Sequence, residues 1–316
     1  MKHLFPFLLS LSLVLACQQA PPTEYILQEI DLLPEGIAYS STQDAFYLSS
    51  IYKSKIIKVD RQTGDQEDFI SEQAFGYLPG VGIMVDDEKG QIHALGGYFM
   101  GEGANSAMFS FDLGTQELIR RIDMPEGGGH FLNDMAMDRA GNLYLTNTKD
   151  SSIYYWEAGS DSLHLFFQST EIQYPNGIAI SDDESKLYIA SFSKGIRILD
   201  MEKKILLNEV DSSGMSRGID GLEFYQGHLY AVQNGGKIST HNFRKLLLNA
   251  GQDRIVGAEV IAQDVPYLNV PLTFCIAKEK AIVIGNSNLQ YLEQENFLFT
   301  PSGSTEQTRL LTYDLP

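Results

Sequence analysis

One short pattern recurs six times along this chain and restricts its possible folds more than any other feature. Each copy is a half-apolar strand that ends in small or polar residues. The copies are Ala45–Ser50, Gln91–Gly96, Asn142–Asn147, Lys186–Ser191, His228–Gln233 and Ala281–Asn286. They recur about every 45 residues, the length of a unit of four short strands. A chain built from one such unit repeated six times must bury each unit against its neighbours, because no single unit can cover its own apolar face.

The flanks of each copy complete the unit. An apolar strand precedes it, read at 36–39, 82–85, 135–138, 177–180, 221–224 and 273–277. A strand of alternating character follows, at 55–60, 107–112, 152–157, 195–200, 237–242 and 309–314, mostly ending in an acidic or amide turn residue. Fourth, outer strands are read at 68–70, 118–122, 163–167, 205–210 and 255–261. The sixth unit has none, but Tyr25–Ile30 is a spare strand at the other end. Added to the last unit it closes the ring and removes a long free edge. The expected fold is all-β: a six-bladed β-propeller over residues 24–316, closed by its N-terminal strand. An open sandwich would not repeat one internal pattern six times.

Charge and cysteine content narrow the function. Hydrophobic residues make up 43% of the 316 and charged ones 20%, as in an ordinary globular domain. The net charge of -18 with no basic stripe excludes a nucleic-acid partner. Lys2, the apolar run Leu4–Leu15 and then Val14-Leu15-Ala16-Cys17 resemble the signal and lipobox of bacterial lipoproteins. That resemblance implies cleavage after residue 16, acyl chains on Cys17 and a tether over 17–23. Gln18 in place of Asp favours the outer membrane. The expectation is an exported protein, lipid-anchored in the cell envelope, that meets the membrane only through its N-terminus and is otherwise monomeric. Cys275 then remains alone in an apolar run, which rules out a disulfide within the mature domain and reads as a buried small hydrophobe.

The innermost strands of a propeller line a central channel, so equivalent residues of different blades meet at one mouth. Just before the inner strands stand Pro34-Glu35-Gly36, Pro79-Gly80-Val81-Gly82, Leu132-Asn133-Asp134, Pro175-Asn176-Gly177, Ile219-Asp220-Gly221 and Leu272-Thr273-Phe274. Four blades therefore offer Glu35, Asn133, Asn176 and Asp220 to one place. Two carboxylates and two amides form a hard-oxygen set of the kind Ca²⁺ takes. No His/Cys cluster offers a zinc site. A simpler reading of each position alone is a polar residue beside glycine in a tight turn.

These motifs resemble the gluconolactonase/regucalcin group of six-bladed propellers, and more remotely the paraoxonases. The likeness spans nearly the whole mature chain, through short motifs: Pro34-Glu35-Gly36, Asn133-Asp134, Pro175-Asn176-Gly177, Asp220-Gly221 and the run Ala231–Ile238. It implies one divalent cation, with calcium expected, held by Glu35, Asn176 and Asp220 with Asn133 beside it. It also implies metal-assisted hydrolysis of a small-molecule lactone or ester, with Asp220 and Asn133 as the catalytic candidates. Two departures matter. Phe131 stands where sugar-lactone members have arginine, which allows a more apolar lactone. Gly36 follows Glu35 where paraoxonases have an Asp for a second ion, so no second ion is expected. His130, Phe131 and Tyr98 are candidates to shape the substrate pocket. The competing classes are a non-catalytic ligand- or partner-binding lipoprotein and a strictosidine-synthase-like propeller, and the oxygen quartet argues against both.

Overall fold

A computed structural model of the chain describes residues 21–99, 105–125, 129–235, 241–293 and 295–316. Cys17, the signal segment and the first part of the tether lie outside the described residues, as do residues 237–240 of the run read as a strand at 237–242. Six four-stranded antiparallel sheets follow one another around an axis, and their inner strands touch in a closed ring, the last against the first. The fold is the six-bladed β-propeller that the repeats require.

Blade one shows the plan. Its strands are Pro34–Ser40, Ala45–Ser50, Lys55–Asp60 and Gln66–Ile70, innermost first. The core is not one cluster but six, each lying between two neighbouring blades. Phe46, for example, packs with Cys275 and Ile282 of blade six, while Tyr47, one residue on, faces Phe109 and Phe111 of blade two. Strand alternation sends successive side chains to opposite faces, so every sheet is apolar on both sides.

The ring closes where Glu24–Ile26 pairs antiparallel with Arg309–Asp314 of blade six. The Tyr25 hydroxyl donates to the Arg61 carbonyl of blade one at 2.7 Å, tying the closing strand across the seam. Cys275 is buried in the core between blades six and one. His93 and Trp156 are packing residues. The His93 ring stands 5.1 Å from the Trp156 ring, and burial lowers its pKa to about 4, so it is neutral at physiological pH.

The closing strand is Glu24–Ile26 rather than 25–30, and three other elements differ from the sequence reading. The third strand of blade five is Asn242–Leu248 rather than 237–242, because Phe243 and Leu246 are the side chains that reach the core. The outer strand of blade four stops at Leu206. Beyond it the Asn208 side chain takes over the ladder, accepting from Ile198 N–H and donating to the Ile196 carbonyl, both at 2.8 Å. Between the second and third strands of blade six lies an inserted hairpin, Leu292–Glu293 with Leu298–Phe299, which no repeat announces.

Candidate functional site

Glu35, Asn133, Asn176 and Asp220 each sit at a β-bulge near the start of an inner strand, and blade two carries the same bulge without a polar residue. Register shifts occur between Pro34 and Gly36, Gly80 and Ile83, Leu132 and Met135, Pro175 and Ile178, and Ile219 and Leu222. A bulge leaves one residue out of the ladder and re-aims its side chain. Freed backbone groups are then taken up by the second strand. Gly36 N–H donates to Ser49 Oγ at 2.9 Å, and Asp134 N–H to Thr146 Oγ1 at 3.0 Å. Glycine follows because adjacent inner strands approach closely. A Cβ on Gly36 would lie 2.2 Å from the Val81 carbonyl oxygen, and one on Gly177 would lie 2.3 Å from that of Asp220. Blade three has Asp134 at this position. Its carboxylate instead accepts from Met135 N–H at 2.9 Å and from Ile178 N–H of the next blade at 3.4 Å.

Glu35, Asn133, Asn176 and Asp220 form the floor of one cavity of about 410 Å³ at the channel mouth. Asn133 is 7% exposed. Its amide donates to Thr148 Oγ1 at 3.0 Å, and Thr148 in turn donates to the Pro175 carbonyl at 2.7 Å. This fixes which way the amide faces and leaves Asn133 Oδ1 buried without a partner. Asp220 accepts hydrogen bonds from Asn234 and Asn176, and Asn234 also donates to the Pro271 carbonyl at 2.8 Å.

Burial dominates the electrostatics. It raises Asp220 to about 6 against the opposing hydrogen bonds of Asn234 and Asn176. Burial also raises Glu35 well above the carboxylate range, and the charges of Asp220 and Asp134 add to it. An orphaned acceptor and two carboxylates that resist ionisation make a site rich in oxygen and short of positive charge. A divalent cation fits it, because it would satisfy Asn133 Oδ1 and favour both ionised carboxylates at once. Among the described residues no group of three or more His, Cys, Asp or Glu side chains is placed to hold a metal, so the two amides are essential to this donor set.

The channel continues inward. A cavity of about 30 Å³ below the floor is lined by the same four residues together with Asp134 and Glu223. Burial raises Asp134 to about 7 and Glu223 to about 8, with Asp134 adding to the latter. Glu223 also borders a chamber of about 260 Å³ toward the other face. Sequence reasoning missed Glu223, Thr148 and Tyr174. Glu223 is the second acidic residue of its inner strand, three positions after Asp220, which was the available signal. Thr148 and Tyr174 carried none.

Of the three predicted pocket residues, Phe131 lines the mouth cavity, where Phe99 meets it edge-on at 5.2 Å. Tyr98 and His130 do not line it. Tyr98 packs on Phe297 of the inserted hairpin, with ring centres 5.3 Å apart. His130 Nδ1 bonds to the Asn147 amide at 2.7 Å, and its ring abuts Tyr154.

A closed ring of six blades with an axial pocket floored by carboxylate and amide oxygens defines a six-bladed β-propeller with a polar axial site. The chain belongs to the SMP-30/gluconolactonase/LRE-like family, whose model matches residues 33–240. No curated protein matches the sequence. Solved structures similar to it include the major allergen Mala s 1 of Malassezia sympodialis, at 14% identity, covering 93% of this chain and 97% of that one, with a TM-score of 0.69. A gluconolactonase from Xanthomonas campestris is similar at 14% identity over 89% and 86% of the two chains, with a TM-score of 0.60. A calcium-binding protein, regucalcin, from Agrobacterium tumefaciens gives 14%, 93% and 95%, and 0.58. At these identities the likenesses establish the fold alone.

Proposed function

We propose that this protein is a divalent-cation-dependent hydrolase of a lactone or related ester, with calcium the expected ion. The observation that carries the reading is the buried, unpartnered Asn133 Oδ1 on the same cavity floor as Glu35, Asn176 and Asp220. These four residues would hold the ion, which when bound supplies a Lewis acid for the ester carbonyl and a counter-charge for the oxyanion.

The chain's own residues do the rest. Asp220 accepts a proton from the attacking water. Asp220, raised by burial in the empty site, would be held ionised beside a bound cation at the cost of being a weaker base. Asn133, with one amide hydrogen held by Thr148, would present the other to the ester oxygen. Water adds to the carbonyl carbon, the ring C–O bond breaks, and the proton ends on the leaving alkoxide to give a hydroxy acid. The test is a lactone and ester panel on chelator-treated protein with Ca²⁺ returned. Asp220→Ala is expected to abolish metal-dependent turnover. Undiminished activity in that variant refutes the assignment. Absence of both turnover and a thermal shift with metal would favour a non-catalytic binding propeller.

The lipobox-like Val14-Leu15-Ala16-Cys17 supports an acylated, envelope-anchored mature form that begins at Cys17. Labelled palmitate is expected to enter the wild type and not Cys17→Ala. Equal labelling of both refutes the anchor.

A further inference from the structure

We propose that the substrate is an uncharged lactone or ester carrying an apolar tail, not a polyhydroxylated or anionic one. The inference rests on the hydrolase reading above and specifies its substrate class.

The mouth cavity has two chemically distinct parts. Its floor is the oxygen set. Above it the wall is apolar, with Phe131 and Leu272 fully packed, Phe192 and Leu289 half-buried, and Phe99 and Tyr174 at the rim. Phe99 is 39% exposed and Tyr174 49%, so two aromatic rings stand in water beside an open pocket. Apolar surface of this kind around a cavity marks a ligand site, and 410 Å³ lies within the usual range for small-molecule pockets.

The polar side chains of the wall next to the floor have their hydrogens engaged, and the Tyr174 hydroxyl stands out at the exposed rim. The Thr148 hydroxyl accepts from Asn133 and donates to the Pro175 carbonyl. Both hydrogens of the Asn234 amide go to Asp220 and the Pro271 carbonyl. Neither has a donor left to read a sugar hydroxyl, and a sugar hydroxyl set against the aromatic wall would lose its water without replacement. Among the described residues no Arg, Lys or His lines the cavity. Lys149 stands at the rim with its ammonium 5.6 Å from the Phe99 ring centre. In the floor, two carboxylates balance the charge of one divalent ion, so no net positive field remains to hold an anion.

The experiment uses the mature chain with Ca²⁺. Turnover is measured on γ-butyrolactone, γ-hexalactone, γ-octalactone and γ-decalactone, with glucono-δ-lactone for comparison. In parallel, binding of the non-hydrolysable 2-alkylcyclopentanones of matching tail length is measured by calorimetry. Each added methylene is expected to raise kcat/KM and affinity about twofold to fourfold until the wall is filled. Glucono-δ-lactone is expected to be the slowest substrate. Phe131→Arg should reduce the decalactone rate more than tenfold. Because Phe131 is buried and an arginine there puts folding at risk, the exposed-rim variant Phe99→Ser is the second test, and it should flatten the dependence on tail length. Rates and affinities that do not rise with tail length, with gluconolactone the faster substrate, overturn the inference and leave the hydrolase reading standing. Tightening cyclopentanone binding without hydrolysis of any lactone sinks the hydrolase reading and keeps the apolar site. Neither binding nor turnover overturns both.

Discussion

Replacing Asp220 by Asn should stabilise the metal-free protein while destroying its response to metal. Asp220 is 8% exposed, and burial moves its pKa from the ordinary 3.8 to about 6. At about 1.36 kcal/mol for each pH unit, keeping this carboxylate ionised in the folded state opposes folding by about 3 kcal/mol. Between pH 3.8 and about 6 the folded state binds more protons than the unfolded one, so stability falls as pH rises through that window. Below it nothing is lost, and above it the full amount is lost. The variant carries no such group, so its advantage should grow from pH 4 to pH 7 and then level off. In a domain of this size about 3 kcal/mol corresponds to a melting-temperature gain of roughly 5 °C. Glu35 enlarges the effect, because Asp220 is one of the charges that raise its pKa. Urea denaturation in chelator at a series of pH values measures the difference directly. With Ca²⁺ at a hundred times its dissociation constant the variant's advantage should shrink sharply, since the wild type gains about 2.7 kcal/mol and the variant little. A wild-type-to-variant difference independent of pH, or equal stabilisation of both proteins by Ca²⁺, would refute the reasoning.

Three further outcomes follow from the same geometry. Thr148→Val should free the Asn133 amide and weaken metal affinity about tenfold by calorimetry; unchanged affinity would show that Thr148 does not position it. Gly177→Ala places a Cβ 2.3 Å from the Asp220 carbonyl oxygen, so it should lower stability by about 1–3 kcal/mol and weaken metal binding with it. A melting temperature equal to wild type would mean that the two inner strands are not in contact there. A chain starting at residue 27 lacks the closing strand and exposes the edge of Arg309–Asp314. It should melt at lower temperature and associate, as seen by light scattering, whereas a monodisperse protein of unchanged melting temperature would show that closure adds nothing.

The propeller was legible because its information is written six times over. The copies end in small and polar residues for a reason the sequence alone does not reveal. Those ends pin the loop that leads into each inner strand. Ser191 donates to the Gln173 carbonyl at 2.6 Å, Asn147 accepts from Phe131 N–H at 2.8 Å, and Gln233 donates to the Arg217 carbonyl at 2.6 Å. The repeat is therefore a record of backbone satisfaction at the mouth, as much as of strand pairing. Features that occur once were invisible to this method. The inserted hairpin of blade six has no counterpart to align, and the displaced third strand of blade five depended on Phe243 and Leu246 outweighing local pattern.

The floor residues were legible for the same reason as the blades, because repetition fixes the position of the bulge. What repetition cannot supply is the difference between blades, and that difference is where chemistry resides. Asp134 occupies the place that is glycine in blades one, two, four and five, and Glu223 adds a second acidic residue to the inner strand that carries Asp220. Both departures put carboxyl groups on the axis, with pKa values raised to about 7 and about 8. A buried acid lowers stability unless something offsets it. Hydrogen bonds from Met135 and Ile178 offset part of it at Asp134. Protonation offsets the rest at neutral pH and below, so the two groups add no full charge beneath the floor there. The oxygen set above can then act as a two-carboxylate site, the charge that one divalent ion balances.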